Sequence, residues 1–198
     1  MKTNNCSYVR NFIPVLLLFF IFGCSGSKYP YDIPVKMQFD SFIRDSHKIL
    51  PEIPEGWFVA EDESIPNNIS ILLLENHYRA AIILSEIKIS KNANEVLRKY
   101  GLKELAAISF EMKDENSKDS LFICKEPEIY EIRDSEFIAY DYKKIAENDS
   151  VRVLIFKTTD TYFELSSLNL NSGKHKASVS RDSLLSVQYS VLRYVMKK

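Results

Sequence analysis

Any chemistry in this chain has to come from three cysteines, three histidines, a run of acids and a group of tyrosines. His47, His77 and His175 lie in separate segments. None stands at a helical or knuckle spacing from another histidine or a cysteine, so a zinc site has no support. Glu126, Glu128, Glu131, Asp134 and Glu136 form an acidic stretch. It lacks the Asp-x-Asp-x-Asp-Gly order of a calcium loop. Its alternation around Ile129, Ile132 and Phe137 reads as a solvated strand face. No Gly-x-Ser-x-Gly elbow occurs, and five glycines leave no phosphate cradle. These residues predict no catalytic group, no metal and no cofactor, and the chain is not expected to be an enzyme. Tyr140 and Tyr142 flank Asp141 on one strand face, with Tyr162 nearby, as either an aromatic binding surface or a cross-strand core cluster.

One cysteine stands apart. Residues 1–11 carry Lys2 and Arg10 and no acid, and Phe12–Phe22 is an apolar run broken only by Pro14. Eleven residues make roughly 16 Å of helix, about half of a bilayer's hydrocarbon core. That suits the apolar region of an export signal better than a membrane span. The run ends in Ile21-Phe22-Gly23-Cys24, followed by Ser25-Gly26-Ser27, which resembles the bacterial lipobox although Phe22 is larger than usual. The resemblance implies cleavage between Gly23 and Cys24, with the Cys24 thiol taking a diacylglycerol as a thioether. An uncleaved anchor helix and an ordinary secretory signal are the alternatives. Two acyl chains on one residue would hold the protein to a membrane. Ser25 rather than an aspartate after the cysteine resembles an outer-membrane sorting signal, if the cell has two membranes.

Removing residues 1–23 leaves 175 residues, the size of one domain, with 24 Lys+Arg against 27 Asp+Glu. No basic block suggests a nucleic-acid partner. Cys6 leaves with the signal and Cys24 is acylated, so Cys124 has no cysteine to pair with. Within Leu121-Phe122-Ile123-Cys124 it reads as a small buried hydrophobe in a strand. Asn68-Ile69-Ser70 and Asn148-Asp149-Ser150 match glycosylation acceptors by chance in such a protein.

These residues need a scaffold. Residues 24–36, with Pro30 and Pro34, read as a lipidated end and tether that lifts a single domain, residues 37–198, off the membrane. Residues 37–50 fit a short helix or a strand. Pro51 and Pro54 frame a turn into Gly56-Trp57-Phe58-Val59, and strand-like runs follow at 69–74 and 80–89. Helical spacing runs from Asn92 to about Met112, interrupted by Gly101. Strands resume at 121–124, 128–133, 137–143, 151–157 and 162–170, the last three as an antiparallel meander with 151–157 central. A final amphipathic helix covers Ser183–Val195. The expected class is α+β, an antiparallel sheet flanked by helices.

The Pro54-Glu55-Gly56-Trp57 turn, the helix from about Asn92, the Phe137–Tyr142 and Val151–Phe156 hairpin and the closing helix together resemble a PsbP-like α/β/α sandwich over residues 50–197. That family's members serve mostly as accessory or binding proteins without a shared active site. The resulting expectation is a lipid-anchored accessory protein of the bacterial cell envelope that binds another envelope protein. The alternative is a module holding a small apolar or lipid ligand in a cavity lined by residues such as Phe137, Phe156 and Phe163.

Overall fold

The structure, a computed structural model, describes residues 29–196 except 34, 39–41, 45–46, 51, 63, 90, 146–148, 160 and 171–177. Of residues 42–44, 47–50, 91–96 and 98–99 it describes the backbone alone. The strands are β1 (Met37–Gln38), β2 (Phe42–Arg44), β3 (His47–Leu50), β4 (Ile53–Pro54), β5 (Trp57–Val59), β6 (Ile69–Glu75), β7 (Ala80–Ile87), β8 (Leu121–Ile132), β9 (Ser135–Lys144), β10 (Val151–Thr158) and β11 (Thr161–Asn169). The helices are α1 (Lys91–Asn116) and α2 (Arg181–Val195).

Seven strands form one antiparallel sheet in the order β5-β6-β7-β11-β10-β9-β8. The expected meander β9-β10-β11 is its centre and one flank. The ambiguous residues 37–50 are strands: β1 pairs with β4 and β2 with β3. Alternation decides which side chain faces which layer. In β6, Ile71 and Leu73 are buried while Leu72 and Leu74 on the other face are half-exposed. In β10, Leu154 and Phe156 enter one core and Val153 and Ile155 the other, so this interior strand is apolar on both sides.

The sheet edge at β8 departs from expectation. The two segments 121–124 and 128–133 are one twelve-residue strand running through Pro127, with register shifts between Ile123 and Lys125 and between Lys125 and Glu128. Proline is tolerated there because an edge strand has backbone groups that need no partner. Cys124 is exposed rather than buried: the first part of the strand is covered from one side only, and Phe122, Cys124, Glu126 and Glu128 take its outer positions. A tight turn at Arg133 and Asp134, both with positive φ, leads into β9.

The layers on the two sides are unequal. α1 packs on β8, β9 and β10 and is kinked at Gly101, whose φ of 72° and ψ of −161° are not helical. A conformation of that kind is open to glycine and strained for other residues. α2 lies on the opposite face, capped by the Ser180 hydroxyl accepting from the Ser183 amide. It is buried from Leu184 through Leu192, because β3 and β4 pack against it as well as β11. Its Ser186 and Ser190 hydroxyls donate to carbonyls one turn back, so burial leaves them bonded. The result is helix on sheet on helix.

The N-terminal segment also departs from expectation. Residues 24–36 do not all serve as a free tether: Tyr29 is 2 % exposed and belongs to the α2-side core. Its ring stacks on Tyr189 and meets Tyr130 and Phe137 edge-on. Burying a whole aromatic ring gains more than leaving it solvated beside two prolines.

Candidate functional site

Two polar clusters lie beneath the helices, one on each side of the sheet. Under α2, Arg152 is 1 % exposed and donates to Asp141 Oδ1 at 2.9 Å and to the Tyr29 hydroxyl at 3.3 Å. Asp141 Oδ2 accepts from Arg181 at 2.7 Å, tying the start of α2 to β9. Burial pushes the Tyr29 hydroxyl up to about 12, although the Arg152 guanidinium opposes it. For Arg152 itself burial works against the charge, and Tyr29 and Asp141 outweigh it, so the guanidinium stays charged. A small cavity of about 140 Å³ opens beside Arg181 and is lined by Ser150 and Ser167, but Arg152 is not among its lining residues. The cluster's visible role is to pin the N-terminal segment and α2 to the sheet.

Under α1, the side chains are arranged differently. Glu164, on β11, accepts from the Ser109 hydroxyl at 2.7 Å and from the Lys113 ammonium through one oxygen, and from Ser166 at 2.7 Å through the other. Ser109 and Lys113 stand one turn apart on α1, and Lys113 also donates to Ser109 Oγ at 2.8 Å. The single Ser109 proton is committed to Glu164, so the Tyr140 hydroxyl, 3.2 Å away, donates to Ser109. Burial, and then the Glu164 charge, raises Tyr140 well above the ordinary phenol and Tyr142 to about 12. The cluster thus gathers two hydroxyls, an amine and a carboxylate at one place, each hydrogen-bonded to another.

This cluster forms the polar end of a cleft of about 460 Å³ between α1 and the sheet. Ile87, Leu105, Ile108 and Met112 make its apolar walls, and Asn68, Glu86 and Lys88 its rim. Met112 is 58 % exposed. The cleft exists because α1 lies chiefly over β8–β10, reaching β11 through Glu164 and Tyr162 and β7 at Ile87, and leaves the rest of β7, β6 and β5 open on that side. The open half of the sheet carries half-exposed Phe58, Leu72, Leu74 and Ile83. They are contiguous by register, Phe58 opposite Leu74 and Leu72 opposite Ile83, with Tyr78 packed on Phe58.

The residues singled out from sequence fall in different places. Gly23 and Cys24 lie outside the described residues. Tyr140, Tyr142 and Tyr162 are brought together, but as a core layer beneath α1. Tyr140 is wholly buried and the other two are half-buried, because an interior strand has no solvent face. They do not form the aromatic surface considered above. Phe137 and Phe156 are fully buried on the α2 side with Phe163 packed beside them, and they line neither the 460 Å³ cleft on the α1 face nor the cavity of about 360 Å³ beside Trp57 and Val187 on the α2 face. Glu126, Glu128, Glu131, Asp134 and Glu136 are all exposed along β8 and its turn, as the solvated reading expects. Among the described residues no group of three or more His, Cys, Asp or Glu is placed to hold a metal, and no helix is long and apolar enough to cross a membrane. Sequence reading missed Ser109, Lys113 and Glu164 as a unit. The i, i+4 spacing of the first two was visible, and Glu164 stood out as an acid between Phe163 and Leu165.

No protein-family profile matches the chain, and no curated protein matches it in sequence. Among solved structures, the solution structure of cyanobacterial PsbP (CyanoP) from Synechocystis sp. PCC 6803 is similar with a TM-score of 0.47 and 12 % identity. The match covers 86 % of this chain and 96 % of that one. The sandwich described above rests on the strand pairing itself.

Proposed function

We propose that this chain is a non-catalytic, lipid-anchored accessory protein of the bacterial cell envelope that binds another envelope protein across the open half of its sheet. The observation that carries the reading is the register-contiguous patch Phe58, Leu72, Leu74 and Ile83 running toward an apolar cleft. Monomeric proteins seldom leave such an area uncovered without a use for it. A matching partner brings a bulky apolar side chain for the cleft and a largely neutral polar rim. The anchor part of the proposal rests on the lipobox at Ile21–Cys24, with Ser25 favouring the outer membrane in a two-membrane cell.

The test is photo-crosslinking in cells from position 72, with Cys24→Ser as control. One dominant envelope protein, lost in the control and in Ile83→Glu, is the expected result. Capture of abundant bystanders alone sinks the protein-partner reading.

A second reading is favoured by the cleft volume, which exceeds the roughly 300 Å³ at which small-molecule sites begin. In it the cleft holds a small amphiphile, its apolar body on Leu105, Ile108 and Met112 and its polar end at Lys113 and Glu164. A denaturation midpoint that rises with added envelope lipid extract supports this; a fixed midpoint removes it.

A further inference from the structure

Resting on the anchor reading above, we infer that the domain stands on its membrane in one orientation, with the β8 edge toward the lipid headgroups and the open half-sheet turned away. The cause is a short leash. Cys24 is five residues before Tyr29, and Tyr29 is locked into the core by Tyr189, Tyr130, Phe137 and Arg152. Even fully extended, five residues reach at most about 18 Å. The domain therefore cannot lift clear of the surface that holds the thioether.

Tyr29 lies over one side of the sheet, since Tyr130, Phe137 and Arg152 belong to β8, β9 and β10. The far edge, β5, is six strand spacings from β8. With Tyr29 centred over β9, β8 is one spacing from the leash and β5 five, so β5 lies about 19 Å further from it. Asn76, exposed in the turn after β6 and bonded through its amide to Gly56, marks this far edge. Tyr29 occupies the α2 face and the cleft the α1 face, so a partner reaches the cleft from the compartment or from the side, not out of the bilayer beneath. Attraction to headgroups is not what brings β8 close. Its exposed Glu126, Glu128 and Glu131 would be repelled by anionic lipid within about 10 Å.

The test uses the full lipidated protein in vesicles of phosphatidylethanolamine and phosphatidylglycerol carrying an acceptor dye on the headgroup. A donor is placed on native Cys124, exposed on β8, or on Asn76→Cys in a Cys124→Ser background. Energy transfer from Cys124 is expected to exceed that from position 76 at least about twofold, given the strand spacings between them. Twenty Gly-Ser residues inserted between Ser27 and Lys28 should erase the difference, and salt should leave it unchanged. Mass spectrometry of the N-terminal peptide separates the two ways of failing. A lipid-modified Cys24 with equal transfer at both positions overturns the orientation alone. An unmodified Cys24 overturns the anchor and the orientation with it. A difference that disappears in high salt also overturns the leash, because the nearness would then be electrostatic.

Discussion

The two faces of the sheet are built from the same strands and do opposite things with them. On the α2 face, a helix buried through its middle, β3, β4 and Tyr29 close over the sheet. Arg152, Asp141 and Tyr29 are bonded to one another inside, while Arg152 Nη2 and Ser167 Oγ have no partner among the described residues. Gln188, fully buried, donates to the carbonyls of Arg152 and Leu165 and ties α2 to two strands at once. On the α1 face, a kinked helix covers only half the sheet and its charged pair faces a cleft. The difference teaches that burial is concentrated where the first and last described segments meet the sheet, and is thinner over the half that α1 leaves open.

The sharpest way to break this comparison is at Arg152. Arg152→Ala leaves Asp141, in a nearly dry site, with the half-exposed Arg181 as its remaining cation, and removes the group under Tyr29. A loss of about 3–5 kcal/mol in urea unfolding is expected, as for other buried pairs cut on one side. A loss under about 1 kcal/mol would mean that the α2 face is not held by this network.

Leu154→Ala, on the same face and wholly buried, should cost about 3 kcal/mol, against about 1 or less for Ile108→Ala at the cleft. Paired chemical-denaturation curves would show the asymmetry directly, and equal costs would erase it.

Glu75 gives a smaller, pH-dependent effect. Its carboxylate accepts from the Arg79 guanidinium at 2.6 and 3.1 Å and from the His77 amide at 2.9 Å, closing the turn in which Tyr78 has a φ of 56°. The Arg79 hydrogen bonds above all hold its pKa down to about 2. A lowered folded-state pKa means stability fully present above the ordinary carboxylate value and lost as pH falls through the folded one. Glu75→Gln should therefore cost about 1–2 kcal/mol at neutral pH, discounted for the partly exposed Arg79, and nearly nothing near pH 2. Thermal midpoints of both proteins across that range check it.

Least in stability, and most useful for binding, is Met112→Lys. With a side chain already mostly in water it should change stability by no more than about 0.5 kcal/mol. It should nevertheless weaken capture at position 72, or lipid stabilisation, by putting a charge at the mouth of the cleft.

Much of the fold was legible because local rules agree with it. The meander follows from polar turns at 147–150 and 159–160, and the closing helix from the spacing of Leu184, Leu185, Gln188, Val191 and Val195. Gly101 marked the kink. Cys124 was misread because Leu121, Phe122 and Ile123 are all apolar, so alternation could not say which set faces outward. Tyr29 was illegible for another reason: next to Pro30 and among small residues it looks like linker, and only Arg152, far along the chain, makes it core. The cleft is likewise a consequence of where α1 settles across the strands, a long-range choice that no window of sequence contains.

The stacking of Tyr29 on Tyr189 joins the two ends of the described chain. Residues that far apart can meet only after the whole sequence is available, and contacts of long separation form slowly. The sandwich has no closing helix until its last stretch is available, so on the export proposed above the nascent chain would stay loose enough to be threaded through a membrane. A truncation after Ser180 should accordingly remain unfolded and protease-sensitive, and a compact, resistant product would show that the ends are not what completes the fold.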